Sequence, residues 1–177
     1  MIETPRLRLR PWRDADRTAF AAMLADPAVM QDLGGTVDRA AADAKLDRYV
    51  ATLAQAGTAR LAVTGHDDGF LGYAGVMPLE PGHPAGAAFD VGWRLVRAAW
   101  GWGFATEAAA AALHDAFDRL GLPEVVAFTA PDNLRSQAVM QRLGMHRDPG
   151  RDFTAAWGGG DWHGLVWTAR PTPATGA

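Results

Sequence analysis

The sequence predicts one domain of the α/β or α+β class, in which a mixed sheet lies between helices on both faces. The first observation is the order of the predicted elements, βααβββαβαββ, with about seven strands and about four helices. The second is the stretch 91–121, where an alternating strand, a turn with two glycines and a strong helix former follow one another. The length of 177 residues suits a single domain. We assign that domain to residues 1–170 and expect a flexible tail at residues 171–177.

Periodicity and turn signals place the individual elements. Residues 6–10 alternate strictly, so Leu7 and Leu9 are expected to face a core and the arginines beside them to face solvent. The other predicted strands are at 60–64, 70–76, about 87–96, 125–129, 153–157 and 162–168. The predicted helices are at about 14–26, 38–57, 107–120 and 133–144.

Composition narrows the function before any motif is considered. The net charge of −3 gives no overall attraction to nucleic acid, and 49% hydrophobic residues are typical of a globular domain. Cysteine is absent, which excludes disulfides, thiolate metal ligands and a cysteine nucleophile. No stretch approaches the roughly 18 apolar residues of a membrane span, and the first residues lack the apolar segment of a signal peptide. We therefore expect a cytoplasmic protein without a metal, a membrane partner or a nucleic-acid partner.

The stretch 91–121 has the parts of an anion-binding site. Gly101 and Gly103 lie in the turn between strand and helix, where the backbone can approach a ligand closely. Free N–H groups and the helix dipole then favour phosphate or pyrophosphate. A dinucleotide-binding Rossmann motif is a poor match because Thr106 stands at the third glycine position and no βαβ repeat surrounds it. The remaining alternative is a helix start whose glycines serve only tight packing.

Four segments resemble a known family. Trp100-Gly-Trp-Gly-Phe-Ala-Thr-Glu107 is similar to the W-G-x-G-x-A-T-E acetyl-CoA loop of GNAT-superfamily N-acetyltransferases, in the form typical of the RimJ/RimL branch. Residues 4–10 resemble the opening strand of that branch, and residues 26–35 resemble its D-P-x-V-M-x-x-L-G-G segment. The segment from Asp132 to Met145 resembles its N-x-x-S helix ending in K-L-G-F. Together these segments cover nearly the whole chain and imply the GNAT fold.

The resemblance implies an acetyl-CoA-dependent N-acetyltransferase that moves an acetyl group directly to a primary amine. The acceptor is either a protein N-terminus or a small-molecule amine, and the protein is a monomer or a homodimer. The alternative is a non-catalytic acyl-CoA-binding or regulatory module of the same fold. Acetyl-CoA would be the co-substrate, and no metal is implied. The residues predicted to contact it are Val96, Arg97, Trp100, Gly101, Trp102, Gly103, Phe104, Ala105, Thr106, Asn133, Ser136 and Arg142.

Two residues are candidates for proton transfer. Asp90 aligns with the glutamate of the family's E-I-G-Y/W strand, where a carboxylate can accept the amine proton through water. An ion pair with Arg94 or a nearby arginine is the alternative for Asp90. Many GNAT enzymes have a tyrosine proton donor seven residues after the asparagine, but Met140 stands there and has no proton to give. The resemblance therefore makes Ser136 the candidate acid, although capping by its neighbours is the simpler reading of this helix start.

The acceptor side is predicted from loops rather than from a motif. The segments 30–36, 78–84 and 158–160 lack a regular pattern, and loops on a rigid scaffold often carry specificity. In the resembling family the first of these loops and the final hairpin frame the amine entrance. Asp32, Glu80 and Asp161 would then place carboxylates around that entrance, where they would attract a protonated amine. The alternative is that these three acids are simply solvated.

Overall fold

The computed structural model describes residues 1–86, 88–157 and 160–171. Its five α-helices within these residues are α1 (Asp16–Leu24), α2 (Pro27–Met30), α3 (Arg39–Ala56), α4 (Phe104–Asp118) and α5 (Leu134–Arg142). Its nine strands there are β1 (Ile2–Glu3), β2 (Leu7–Arg10), β3 (Leu61–Gly65), β4 (Phe70–Pro78), β5 (Phe89–Leu95), β6 (Val125–Thr129), β7 (His146–Arg147), β8 (Phe153–Trp157) and β9 (Gly160–Ala169). No helix in these ranges is both long enough and apolar enough to cross a membrane.

The strands form one mixed sheet in the order β1-β2-β3-β4-β5-β6-β9-β7, with β8 paired to β9. Neighbouring strands are antiparallel except β5 and β6, which are parallel. These two strands pair at a single position, Asp90 opposite Val126, although β5 is seven residues long. Beyond that position the ladder does not continue, and the carboxyl end of β5 lines a cleft there.

Helices cover both faces of the sheet. Helix α4 packs against one face through alanines such as Ala108 and Ala112, whose small side chains bring its backbone close to the strands. Helices α1 and α3 cover the other face, where Phe20 and Leu46 are fully buried. This arrangement confirms the predicted mixed sheet between two helical layers. The additional elements are short: β1 and β7 have two residues each, and α2 has four.

Three local predictions are wrong. Arg10 does not face solvent, because it is 4% exposed and its guanidinium makes two hydrogen bonds of 2.7 and 2.8 Å to Asp16. Strand alternation cannot foresee a buried pair whose partner lies in the following helix. The central helix begins at Phe104 rather than Glu107, since Gly103 is its N-cap. Helix α1 has Ala15 rather than Asp14 as its N-cap and begins at Asp16. The predicted tail and the turn at 158–160 fall largely outside the described residues.

Candidate active site

A cleft of about 1240 Å³ opens where β5 and β6 cease to pair. Its walls come from the end of β5, the turn before α4, the first turns of α4 and α5, and the segment that follows α1. Ten of the predicted site residues line this cleft: Trp100, Gly101, Trp102, Gly103, Phe104, Ala105, Thr106, Asn133, Ser136 and Arg142. The fold therefore brings the glycine turn and the start of α5 to one cavity, although about 30 residues separate them in sequence.

The turn before α4 presents unbonded backbone donors to the cleft. Gly101 and Gly103 have φ angles of 83° and 79°, in the left-handed region where a side chain is strained. Gly103 is the N-cap of α4 and offers no side-chain cap, so the first-turn N–H groups remain available. Within the described residues, the backbone N–H groups of 101–106 donate no hydrogen bond to the protein. This set of donors fits a pyrophosphate at a helix N-terminus.

Arg6 and Glu107 fasten this turn to the start of the chain. The backbone N and Nε of Arg6 donate to the Glu107 carboxylate at 3.0 and 2.6 Å, and Thr4 Oγ1 donates to it at 2.6 Å. Arg6 Nη1 also donates to the carbonyl oxygen of Trp102 at 2.9 Å, and its guanidinium lies 4.8 Å from the Phe104 ring centroid. Arg6 is half exposed and lines the cleft, so its charge faces the same cavity.

The start of α5 forms the opposite wall. Asn133 caps this helix, and its Oδ1 accepts from the Ser136 N–H at 3.0 Å. The predicted cap and the predicted acid are therefore adjacent parts of one turn, and the Ser136 hydroxyl has no protein partner within the described residues. Met140 is 2% exposed and packs in the main core, so it supplies no group to the cleft.

Trp100 and Arg135 contact each other across the cleft. The Arg135 guanidinium lies 4.5 Å from the Trp100 ring centroid, and Trp100 Nε1 donates to the Leu95 carbonyl oxygen at 2.9 Å. The indole is thus held by β5 while its face receives a cation from α5. The two walls of the cleft meet at this contact.

Asp90 does not belong to the lining of this cleft. Its carboxylate is buried and forms an ion pair with Arg60, whose guanidinium also donates to the Gly75 and Asp90 carbonyl oxygens. Burial raises the pKa of Asp90, and the charge of Arg60 opposes that rise. The ion pair that was the alternative role for Asp90 is therefore present, and its partner is Arg60 rather than Arg94.

Asp32 and Arg94 line the part of the cleft next to α2. Arg94 Nη1 donates to the Val29 carbonyl oxygen at 2.8 Å and lies 2.9 Å from the Met30 sulfur, which holds the guanidinium against α2. Burial and then the nearby Asp132 raise the pKa of Asp32, whereas Arg94 and Arg135 lower it. One cation and one carboxylate therefore face the same space.

Four other predicted residues lie away from the cleft lining. Val96 packs with the α1–α3 side of the core and donates its N–H to the Leu71 carbonyl oxygen at 2.9 Å. Arg97 is exposed on a single 3₁₀ turn. Glu80 is exposed on a loop and Asp161 is exposed in β9, so of the three predicted acids Asp32 is the one that lines the cleft.

The roles of Arg6, Glu107 and Arg94 escaped the sequence reasoning. Glu107 belongs to the A-T-E part of the motif, which does not indicate its partners. Arg6 was interpreted as a solvated strand residue. The available signal was an arginine in the opening strand together with a glutamate at the loop–helix junction, but nothing local indicates that residues 101 positions apart meet.

Comparisons with known proteins agree with this geometry. Residues 6–146 match the family model described as the acetyltransferase (GNAT) domain. The chain is 29% identical over 147 residues to the uncharacterized protein YkkB of Bacillus subtilis strain 168, covering 82% of this chain and 84% of YkkB. It is also 29% identical to an acetyltransferase from Agrobacterium tumefaciens strain C58, with a TM-score of 0.81 over 96% of this chain and 94% of that one.

A more distant structure is RimL, a ribosomal L7/L12 alpha-N-protein acetyltransferase in complex with coenzyme A. It has a TM-score of 0.74 and 16% identity, over 94% of this chain and 95% of RimL, so it shows a shared fold. The chain belongs to the GNAT acetyltransferase family, whose members use acetyl-CoA. The resemblance stated from the sequence motifs is thereby confirmed, and RimL is among the proteins that share its fold.

Proposed function

We propose that this protein is an acetyl-CoA-dependent N-acetyltransferase that moves an acetyl group directly to a primary amine. The observation that carries the proposal is the single cleft that joins the unbonded N–H groups of residues 101–106 to the Ser136 hydroxyl. Such a cleft suits a long ligand that has a phosphate group at one end and a reactive group further along. Membership of the GNAT family makes acetyl-CoA that ligand.

Binding is assigned to backbone donors supported by three arginines. The N–H groups of the 101–106 turn would hold the pyrophosphate, because they face the cleft and need no side-chain movement. Arg6, Arg135 and Arg142 line the same cleft and add positive charge around it. Val96 and Arg97 have no part in the proposed binding, because neither lines the cavity.

The chemistry requires an amine attack on the thioester carbonyl carbon. A C–N bond forms and the C–S bond breaks, the attacking nitrogen releases one proton to solvent, and the departing sulfur takes up one proton from a donor that solvent then reprotonates. The Ser136 hydroxyl lines the cleft and is assigned as the donor of that proton, since Met140 is buried and carries no acidic hydrogen. The chain contains no cysteine to receive the acetyl group first, and direct transfer to the amine is the simplest route.

Asp90 is assigned to positioning rather than to accepting the amine proton. Its pair with Arg60 links β3, β4 and β5 behind the cleft, because Arg60 also bonds the Gly75 carbonyl oxygen. Asp90 lies outside the cleft lining and its carboxylate is bonded to the Arg60 guanidinium, so it is not placed to reach the attacking amine. Removing one partner of such a buried pair leaves an uncompensated charge, so its variants are expected to act through the fold.

The experiment that tests the proposal follows the product. Purified protein is incubated with acetyl-CoA and a mixture of amino acids, polyamines and peptides with free N-termini, and the amines are then analysed by mass spectrometry. Appearance of an N-acetylated amine in a protein-dependent manner supports the proposal. If coenzyme A binds but no amine gains an acetyl group, the alternative of a non-catalytic acyl-CoA-binding module is favoured.

A further inference from the structure

Within the described residues, the acceptor side of the cleft contains an arginine that has no carboxylate partner. Arg94 lines the cleft and is held by the Val29 carbonyl oxygen and the Met30 sulfur, both of which are uncharged. Within the described ranges, no carboxylate lies within the 4.0 Å limit of an ion pair with it. The backbone of α2 therefore fixes the position of the guanidinium while its charge is left unmatched.

The surroundings of Arg94 add to this positive charge. Lys45 and Arg60 approach the same face of the sheet, and burial followed by the neighbouring arginines lowers the pKa of Lys45, an effect that Tyr73 opposes. The two buried carboxylates among the described residues are already paired, Asp90 with Arg60 and Asp16 with Arg10. A half-buried cluster with more cations than anions is costly unless an anion binds to it. The structure thus favours an anionic group on whatever binds beside Arg94.

Asp32 supplies the opposite charge a short distance away. It lines the same cleft, and Arg94 influences its pKa, yet the two side chains do not form an ion pair in the described part of the chain. Asp132 and Arg135 are its other charged neighbours. A carboxylate and a guanidinium that face one cavity without contacting each other leave room for a ligand that carries both complementary charges.

We propose that the acceptor is an amine that also bears a carboxylate, such as a free α-amino acid, with Asp32 attracting the ammonium group and Arg94 binding the carboxylate. This inference rests on the proposed acetyl transfer and specifies its acceptor. Arginine binds a planar carboxylate through two parallel hydrogen bonds, which a point charge cannot reproduce. A polyamine, or an amine whose carboxyl group is blocked, would leave Arg94 without its anion.

Acceptors that differ only in the carboxyl group show whether the protein recognises the carboxylate as well as the amine. Leucine, leucinamide and 3-methylbutylamine share one hydrocarbon chain, and the same three forms are compared for alanine and phenylalanine. In the wild type we expect kcat/KM to be about 10- to 100-fold higher for the acid than for its amide, as for a charge-assisted hydrogen bond. In Arg94→Gln that ratio should fall to near one, whereas Arg94→Lys should keep part of it. The control is Arg39→Gln, which removes an exposed arginine outside the cleft lining and should keep the wild-type ratio.

A binding measurement keeps the inference independent of turnover. Each amino acid is titrated by calorimetry into the protein saturated with coenzyme A, and coenzyme A affinity reports whether each variant is folded. Binding of the amino acid, and its loss in Arg94→Gln with coenzyme A affinity unchanged, supports the inference. Acetylation of amines with no preference for the acid form would overturn it while leaving the acetyltransferase assignment intact. If no amino acid binds and none is acetylated, the inference is also overturned.

Discussion

Arg6 and Glu107 are 101 residues apart in sequence, yet the Nε of Arg6 donates to the Glu107 carboxylate at 2.6 Å. The same arginine bonds the Trp102 carbonyl oxygen, so the opening segment of the chain holds both ends of the turn before α4. A loop that donates backbone N–H groups must keep them oriented without reorganising when the ligand arrives. We therefore regard this pair as the structural support of the proposed pyrophosphate site.

Replacing Arg6 tests that support. Arg6→Gln removes the charge-assisted bonds and one cation of the cleft, and we expect the Kd for coenzyme A to rise roughly 10- to 100-fold. Arg8→Gln is the control, because Arg8 lies on the same segment but pairs with Glu3 and lies outside the cleft lining. The Kd for coenzyme A is measured by calorimetry for both variants. If Arg6→Gln and Arg8→Gln bind coenzyme A equally well, Arg6 is only a surface residue.

The pH dependence of stability gives a second test of the same pair. Partial burial alone would raise the pKa of Glu107, but hydrogen bonds from Thr4 and Arg6 outweigh it and hold the pKa below its ordinary value of 4.5. A lowered pKa means that the carboxylate stabilises the fold above its unfolded pKa and loses this effect as the pH falls through its folded pKa. The difference in Tm between wild type and Glu107→Gln should therefore be constant near neutral pH and shrink below about pH 4.5. A difference that persists at about pH 3 would contradict the assignment.

Gly103 carries a prediction about the turn itself. Its φ of 79° is strained for any β-branched residue, and a Cβ there would lie 3.5 Å from an Arg6 guanidinium nitrogen. Gly103→Val should distort the N-cap and weaken coenzyme A binding about tenfold or more, given strain of roughly 1–3 kcal/mol. Gly121→Val is the matched control, because its φ of 64° imposes similar strain just beyond the other end of α4 in open space. Unchanged affinity in a folded Gly103→Val protein would refute the placement of the site.

Ser136 carries the prediction about proton transfer. Ser136→Ala leaves the helix cap intact, because Asn133 accepts from the Ser136 backbone N–H rather than from its hydroxyl. We expect kcat to fall about 10²- to 10⁴-fold while KM for acetyl-CoA changes little, as for a lost general acid. Ser136→Thr retains a hydroxyl and should recover part of the activity. An effect confined to KM would reassign Ser136 to binding.

Asp32 is predicted to serve function at a cost in stability. Burial and the nearby Asp132 raise its pKa, so the ionised form is disfavoured by its surroundings. Asp32→Asn should therefore leave Tm unchanged or higher and raise the acceptor KM, more so at low ionic strength. Asp161→Asn, which changes an exposed acid outside the cleft lining, is the control. If both variants keep the wild-type acceptor KM and salt dependence, the amine does not enter beside Asp32.

Local patterns were sufficient for most of the fold. Strict alternation placed Leu7 and Leu9 in the core, and the helix predicted to end at residue 57 does end there, with Gly57 as its left-handed cap. The hairpin of β3 and β4 follows from two apolar segments around a polar turn. These features depend on neighbours within a few residues, and such neighbours are visible in the sequence.

Long-range pairing limited what the sequence revealed about the site. The buried pair of Arg60 and Asp90 joins residues 30 positions apart, and its partner was expected to be Arg94 or another nearby arginine. The position of Arg94 depends on the backbone of α2, an element too short to be predicted. A motif identifies the residues of one loop, but it does not state which distant side chains the sheet brings to it.

The measurement that tests the central claim most directly is the initial rate of coenzyme A release from acetyl-CoA, followed by thiol detection at increasing amine concentration. We expect a slow rate without amine and a saturable increase with at least one amine, and Ser136→Ala should lower this increase about 10²- to 10⁴-fold without changing acetyl-CoA binding. A rate that stays at the amine-free level for amino acids, polyamines and peptides, in a protein that binds acetyl-CoA, would contradict the assignment as an N-acetyltransferase.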